Sequence, residues 1–309
     1  MLLLIFCVCG EAEQTFAQYL KRESARSDKY TGGRIEKSAL VAGNSDIKIT
    51  VNVPAFQLTL WQNGKEIKTY WVGVGLKDFP IYIGSREATE VIWNPEWIPP
   101  DSEWVKGFKP GEIIKPTDPR NPLGKMKIPL GGGYLIHQAK GLGDLGNLVS
   151  HGCVRMLKTD LYDLAEKIVA ARSLPVSQKE IERAKLTRQT LTAKLDPFVP
   201  VEITYDTQVV EAGRLHIYPD VYAYKTKTVE NLREELRTNG VDASALSDET
   251  LKKMIARARL KKQFVVSVES IKEGRALIDG RIISVVGGGS SKQNTKVTNK
   301  TRSHRRTLR

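Results

Sequence analysis

Between residues 47 and 75 apolar and polar positions alternate through three runs, IKITVNV, FQLTLWQ and KEIKTYWVGVG. A period of two marks strands with one buried face. Phe56, Leu58 and Leu60 fall on one side of the second run, with Gln57, Thr59 and Trp61 on the other. Asn63-Gly64 separates the last two runs and predicts a tight hairpin, because both residues tolerate positive φ. The stretch VIWNPEWIPPDSEW cannot extend a ladder, since Pro95, Pro99 and Pro100 lack the N–H it needs. KMKIPLGGGYLIH supplies further strand. The period then changes in TDLYDLAEKIVAA, where Leu161, Leu164, Ala165, Ile168 and Val169 recur at helical spacing behind Thr159 or Asp160 as N-cap. A charged helical insertion, QKEIERAKLTRQTLTAKL at about 176–196, is expected to end at Pro197. PVEITYDTQVVEAGRLHIYPDVYAY returns to strand.

Beyond residue 226 the pattern predicts a small α+β module. TVENLREELRTNG and SDETLKKMIARARLKK read as amphipathic helices, and Ser247 and Glu249-Thr250 suit the first turn of the second. QFVVSVESI and RALIDGRIISVV read as a hairpin. The whole is mainly β: one good-sized domain of short strands with one packed helix, followed by the module at 226–285.

The ends differ in character. MLLLIFCV, followed by Thr15-Phe16-Ala17, reads as a signal peptide over residues 1–17; no basic residue precedes Leu2, so either a misannotated or a truncated start is expected. Residues 18–45 read as a linker. Export would remove Cys7 and Cys9 and leave Cys153 as the one thiol, which then needs a purpose in an oxidising compartment. The net charge of +13 is uneven. The last nineteen residues carry seven Lys or Arg and no acid, after Gly287-Gly288-Gly289-Ser290-Ser291. Residues 286–309 therefore read as a disordered basic tail, expected to meet anionic wall or envelope polymers or to stay solvated. Nucleic acid is not expected for an exported chain.

GGGYLIHQAKGLGDLGNLVSHGCVRML, residues 131–157, carries the chemistry. It holds His137, His151 and Cys153 around a glycine-rich loop. A thiolate is a strong nucleophile, but an ordinary thiol is mostly protonated at neutral pH and needs a base within reach. Spacing alone leaves either histidine open: His151 lies two residues before Cys153, and His137 closes the run YLIH. Gly152 leaves room for a substrate carbonyl, so nearby amides can form an oxyanion hole. The opposing reading is a structural His pair with a buried Cys. His216 lies in a strand far from the motif and reads as structural; His304 in the tail is uninformative. No phosphate-binding glycine loop or metal-ligand spacing is present, so no cofactor and no metal are expected.

SHGCVRM, preceded by IH and a glycine-bearing loop, resembles the signature of the L,D-transpeptidase catalytic domain, of the YkuD or ErfK/YbiS type. The resemblance extends to IKITVNVPAFQLTLWQNGKEIKTYWVGVG, NPEWIPP, NPLGKMKIPL and PVEITYD, covering roughly residues 46–205 and more loosely to 225. It implies a β-sandwich-like catalytic domain over 46–225, with Cys153 as nucleophile and His137 as general acid/base. The backbone carbonyl of Gln138 would hold the imidazole tautomer, although relatives mostly have Gly, Ser or Thr there. Ser150 would pin the loop, while His151, Gly152 and Cys153 would supply oxyanion amides. Gly146 matches a loop glycine. Arg155 matches the motif's arginine, whose fork suits a stem carboxylate or a structural ion pair. Trp93, Trp97 and Trp104 either wall the cleft or pack the core, with core packing favoured for at least two. FPIYIGSR at 79–86 departs from the Thr-Pro and Gly common in relatives. The resemblance implies an enzyme of the periplasm or cell envelope that cross-links peptidoglycan stem peptides. A hydrolase on the same fold and a non-catalytic wall-binding module are the alternatives.

Overall fold

The computed structural model describes residues 47–287 apart from Pro110 and Ala245. The signal-peptide, linker and most of the basic-tail expectations, with Cys7, Cys9 and His304, lie outside the described residues. The described residues belong to the compact unit that begins at Ser45.

The frame is an eight-stranded sheet. Its strands are β1 (Ile47–Asn52), β2 (Gln57–Gln62), β3 (Lys65–Trp71), β5 (Gly84–Trp93), β6 (Met126–Pro129), β7 (Leu135–Gln138), β9 (Val154–Met156) and β10 (Leu191–Thr204). They run in the order β3-β2-β1-β10-β5-β6-β7-β9. The hairpin forms as its sequence predicts: Asn63 and Gly64 take φ of 51° and 72°, and Leu58 and Leu60 are buried while Thr59 and Trp61 are half-exposed. Two pairings are parallel, β1 with β10 and β7 with β9, so the chain must cross over between them. A two-stranded parallel sheet of β4 (Val74–Gly75) and β8 (Leu148–Ser150) stands beside β9.

Helix α1 (Lys158–Ala171) makes the crossover after β9. It buries Leu161, Leu164, Ala165, Ile168 and Val169, the five residues at helical spacing. Each large aliphatic side chain so buried stabilises the fold by about 1.5–3 kcal/mol. Its N-cap is Leu157, without a side-chain hydrogen bond, so neither Thr159 nor Asp160 caps it; both lie inside the first turn.

The expected helical insertion is only half helical. Helix α2 (Gln178–Leu186) opens on a Ser177/Glu180 capping box and buries Ile181 and Ala184, but β10 begins at Leu191. Leu191, Ala193 and Leu195 alternate with exposed polar residues, a strand period that outweighs the helix-forming character of the segment. Pro197 therefore lies within the strand, at the bulge between Lys194 and Val199, instead of ending a helix.

The later residues form a four-stranded antiparallel sheet of β11 (Gln208–Glu211), β12 (Arg214–Ile217), β13 (Lys262–Ser267) and β14 (Arg281–Ser284). Helices α3 (Val229–Thr238) and α4 (Asp248–Arg257), capped by Thr228 and Ser247, pack a second apolar cluster around Leu232, Leu236, Leu251, Met254 and Phe264. Strands β13 and β14 pair as expected, but two short helices join them, α5 (Val268–Lys272) and α6 (Ala276–Asp279). These take up VESIK and ALID, which the sequence pattern assigns to the hairpin. His216 is structural: its Nδ1 meets Gln263 Oε1 at 2.9 Å.

Candidate active site

Pleating assembles the site. His137 in β7 stands opposite Arg155 in the parallel β9, and Cys153 precedes Arg155 by two residues. Paired residues share a face, so His137 and Arg155 project from the same side of the sheet, and Cys153 stands immediately before β9. Cys153 is half-buried and receives a hydrogen bond from the Leu135 main chain, two residues before His137.

The Cys153 loop is fixed from several directions. Ser150 is buried, and its hydroxyl donates to the Cys153 carbonyl at 2.6 Å. The Ser150 carbonyl accepts from Leu76 N–H at 2.8 Å. Gly152 takes a φ of +100°, and a Cβ there would approach the Tyr134 ring to 2.9 Å. Only glycine takes that backbone and leaves the space beside Cys153 open. Gly146 takes a φ of +69°, and a Cβ on it would collide with Val286.

The two histidines occupy different environments. His137 is 4% exposed; burial, with help from the Arg155 charge, lowers its pKa to about 3, so the ring is neutral across the physiological range. Asp144 and the main chain of Gln138 and Leu123 pull the other way without reversing that. Neither carbonyl is in hydrogen-bond geometry with Nδ1, which is buried without a protein partner. His151 is exposed. Its ring stacks on Trp104 at 4.2 Å with planes 4° apart and meets Phe79 edge-on at 4.6 Å. Burial pushes the Cys153 thiol up, while Arg155 and the Leu135 main chain favour its thiolate. The resting thiol and the resting imidazole are thus both neutral.

Gln138 does not crowd this face. Its side-chain Oε1 accepts from Lys125 N–H at 2.8 Å and packs against Gly124. Arg155 donates to Asp144 Oδ2 at 3.1 Å, so the ion-pair alternative is what forms; one arm of its fork is occupied and Nε is buried without a protein partner. Trp93 and Trp97 are core residues, whereas Trp104, 38% exposed, belongs to the mouth. Asp144 and Phe79 were not singled out by the sequence. Asp144 lies eleven residues from Arg155 in a glycine-rich loop, and no local spacing signals their pairing. Among the described residues no cluster of His, Cys, Asp and Glu is placed to hold a metal ion, and no helix is long and apolar enough to cross a membrane.

A buried histidine on β7 and a cysteine at the entry to the parallel β9, next to a left-handed glycine, are the residue types acyl-transfer chemistry uses. Residues 46–194, just under half of the chain, match the YkuD family model, described as the L,D-transpeptidase catalytic domain. A curated relative, the probable L,D-transpeptidase YbiS of Escherichia coli strain K12, is 30% identical over 122 residues, 34% of this chain and 40% of the relative. The chain thus spans well under half of that relative's length. Among solved structures, an L,D-transpeptidase from Mycobacterium smegmatis aligns with a TM-score of 0.32 and 15% identity, over 52% of this chain and 59% of that one. The catalytic domain of the E. faecium L,D-transpeptidase acylated by ertapenem aligns with a TM-score of 0.34 and 14% identity, over 53% of this chain and all of that domain. Scores this low add nothing to the family match, which rests on sequence.

Proposed function

We propose that this chain is a cysteine-dependent L,D-transpeptidase acting on peptidoglycan tetrapeptide stems. The observation that carries the reading is His137 on β7 opposite Arg155 of β9, with Cys153 immediately before β9 and Gly152 held at positive φ next to it. His137 takes the thiol proton as Cys153 Sγ bonds to the carbonyl carbon before the terminal D-alanine. The C–N bond breaks, and His137 returns the proton to the departing amine. A neighbouring stem's amine then attacks the thioester, and its proton returns through His137 to the sulfur, leaving a 3-3 cross-link. An amine of a wall-anchored protein can serve in the same way. The Gln138 main chain raises the proton affinity of the His137 ring; the amides of His151, Gly152 and Cys153 hold the oxyanion. The Arg155 arm not taken by Asp144 faces the stem carboxylate.

On this reading residues 46–225 form the catalytic domain of an exported chain, at work in the periplasm or cell envelope. The module at 226–285 accompanies it, and the basic tail engages anionic envelope polymers.

The test is intact-protein mass of the full chain after incubation with a disaccharide-tetrapeptide, with Cys153→Ala in parallel, followed by product masses. An acyl adduct on the wild type alone, with dimeric muropeptide appearing, is the expected result. An adduct that yields only tripeptide makes the chain a hydrolase. No adduct from donor or carbapenem overturns the catalytic reading in favour of wall binding.

A further inference from the structure

The loop of residues 76–80 leaves β4 and lies against the Cys153 turn. Leu76 N–H donates to the Ser150 carbonyl, the Phe79 ring meets His151, and the Pro80 carbonyl lies 3.6 Å from where a Cβ on Gly152 would stand. One distant side chain holds both ends of this loop. Tyr222 Oη donates to the Gly75 carbonyl at 3.0 Å and faces Ile81 N–H, which donates to it at 3.4 Å. Tyr222 is 2% exposed and lies outside the residues that match the family model.

Tyr222 is itself held in place. Its N–H donates to Tyr205 Oη at 2.6 Å, and that hydroxyl donates to Asp220 Oδ1 at 2.6 Å. Asp220 also accepts from the N–H groups of Tyr224 and Lys225, which closes the turn that carries Tyr222. The Tyr205 and Tyr222 rings stack at 5.5 Å. Burial pushes both phenols well above the ordinary tyrosine range, so each hydroxyl keeps the proton it donates. The Asp220–Tyr205–Tyr222 series therefore ends on the two peptide groups that bracket loop 76–80.

We infer that Tyr222 is a positioning residue for the Cys153 site. Its hydroxyl fixes the spacing of Gly75 and Ile81, and hence where the loop supports His151 and Gly152. The catalytic consequence rests on the function proposed above; the restraint on the loop does not.

The two are separated by measuring hydrogen exchange and donor acylation on the full chain carrying Tyr222→Phe, which keeps the ring and removes the hydroxyl. Exchange at residues 76–81 should quicken by roughly fivefold to tenfold, the worth of one or two hydrogen bonds, with α1 and β5 unchanged. Acylation of Cys153 by the tetrapeptide donor should slow by a similar factor, while alkylation by iodoacetamide, which needs no aligned cleft, should stay within twofold. Tyr205→Phe, one step back in the series, should loosen the same residues. Unchanged exchange at 76–81, or a loss spread over α1 and β5, overturns the inference. So does donor acylation within twofold of wild type once the loop has loosened. If the wild type accepts no donor while exchange changes as stated, the proposed function falls and the restraint stands.

Discussion

Arg155 Nη1 donates to Asp144 Oδ2 at 3.1 Å, and both side chains are only 13% exposed. Arg155 lies on the sheet face that carries His137. The Arg155 charge favours the Cys153 thiolate and disfavours a protonated His137, whereas Asp144 favours the protonated His137. A buried pair of this kind stabilises less than its geometry implies, because both charges leave water. Losing one partner is the larger effect.

Arg155→Met should therefore cost about 2–4 kcal/mol in urea unfolding, since it strands Asp144 in a poorly solvated site. The double variant Arg155→Met/Asp144→Leu should recover at least half of that loss. If the double variant is as unstable as the sum of its two singles, the coupling assigned to the pair is absent.

His137 gives stability a pH dependence of known sign. Its pKa is about 3 in the folded chain, against about 6.5 when unfolded. Above about pH 6.5 the ring is neutral in both states, and its burial carries no protonation penalty. As pH falls from there towards 3, the unfolded chain takes up a proton that the folded one refuses, so stability declines. The loss amounts to a few kcal/mol at most. His137→Gln should flatten the stability curve across this window, as read from urea midpoints at stepped pH. An unchanged slope would mean that the folded ring accepts a proton far above pH 3.

Much of this was legible in local sequence. Alternation gave the β2–β3 hairpin, helical spacing gave the five buried residues of α1, and the SHGC motif marked the loop. What escaped depends on the third dimension. The first part of β10, before Pro197, was hidden because its exposed Thr192 and Lys194 read equally well as the polar face of a helix. The Arg155–Asp144 pair and the reach of Tyr222 to Gly75, 147 residues away, have no sequence period at all. Within the sequence, only the family resemblance favours His137 over His151. The structure separates them by burial, with one ring under the sheet face and the other between Trp104 and Phe79.

Gly152 is restrained twice, by its φ of +100° and by the Tyr134 ring. Gly152→Ala should destabilise the chain by about 1–3 kcal/mol, the usual cost of a strained backbone. It should also slow iodoacetamide labelling of Cys153, because the turn must shift to relieve the contact. Full stability together with full labelling would show that the turn has slack that its geometry denies.

The sharpest prediction sets the two histidines against each other. A positioned general base contributes about 10²–10⁴ to the rate of a proton-transfer step. His137, neutral and on the strand next to β9, is the group assigned that task, so His137→Asn should slow Cys153 acylation by that order. His151→Asn removes a ring that stacks on Trp104 and meets Phe79, but its backbone amide remains. It should cost no more than about tenfold, a loss of mouth geometry worth about 1.4 kcal/mol. Thermal melts of both variants separate misfolding from chemistry, because His137→Asn also leaves an amide in a buried place. Should His151→Asn prove the more damaging of two well-folded variants, the base would be His151, and the buried imidazole on β7 would be structural.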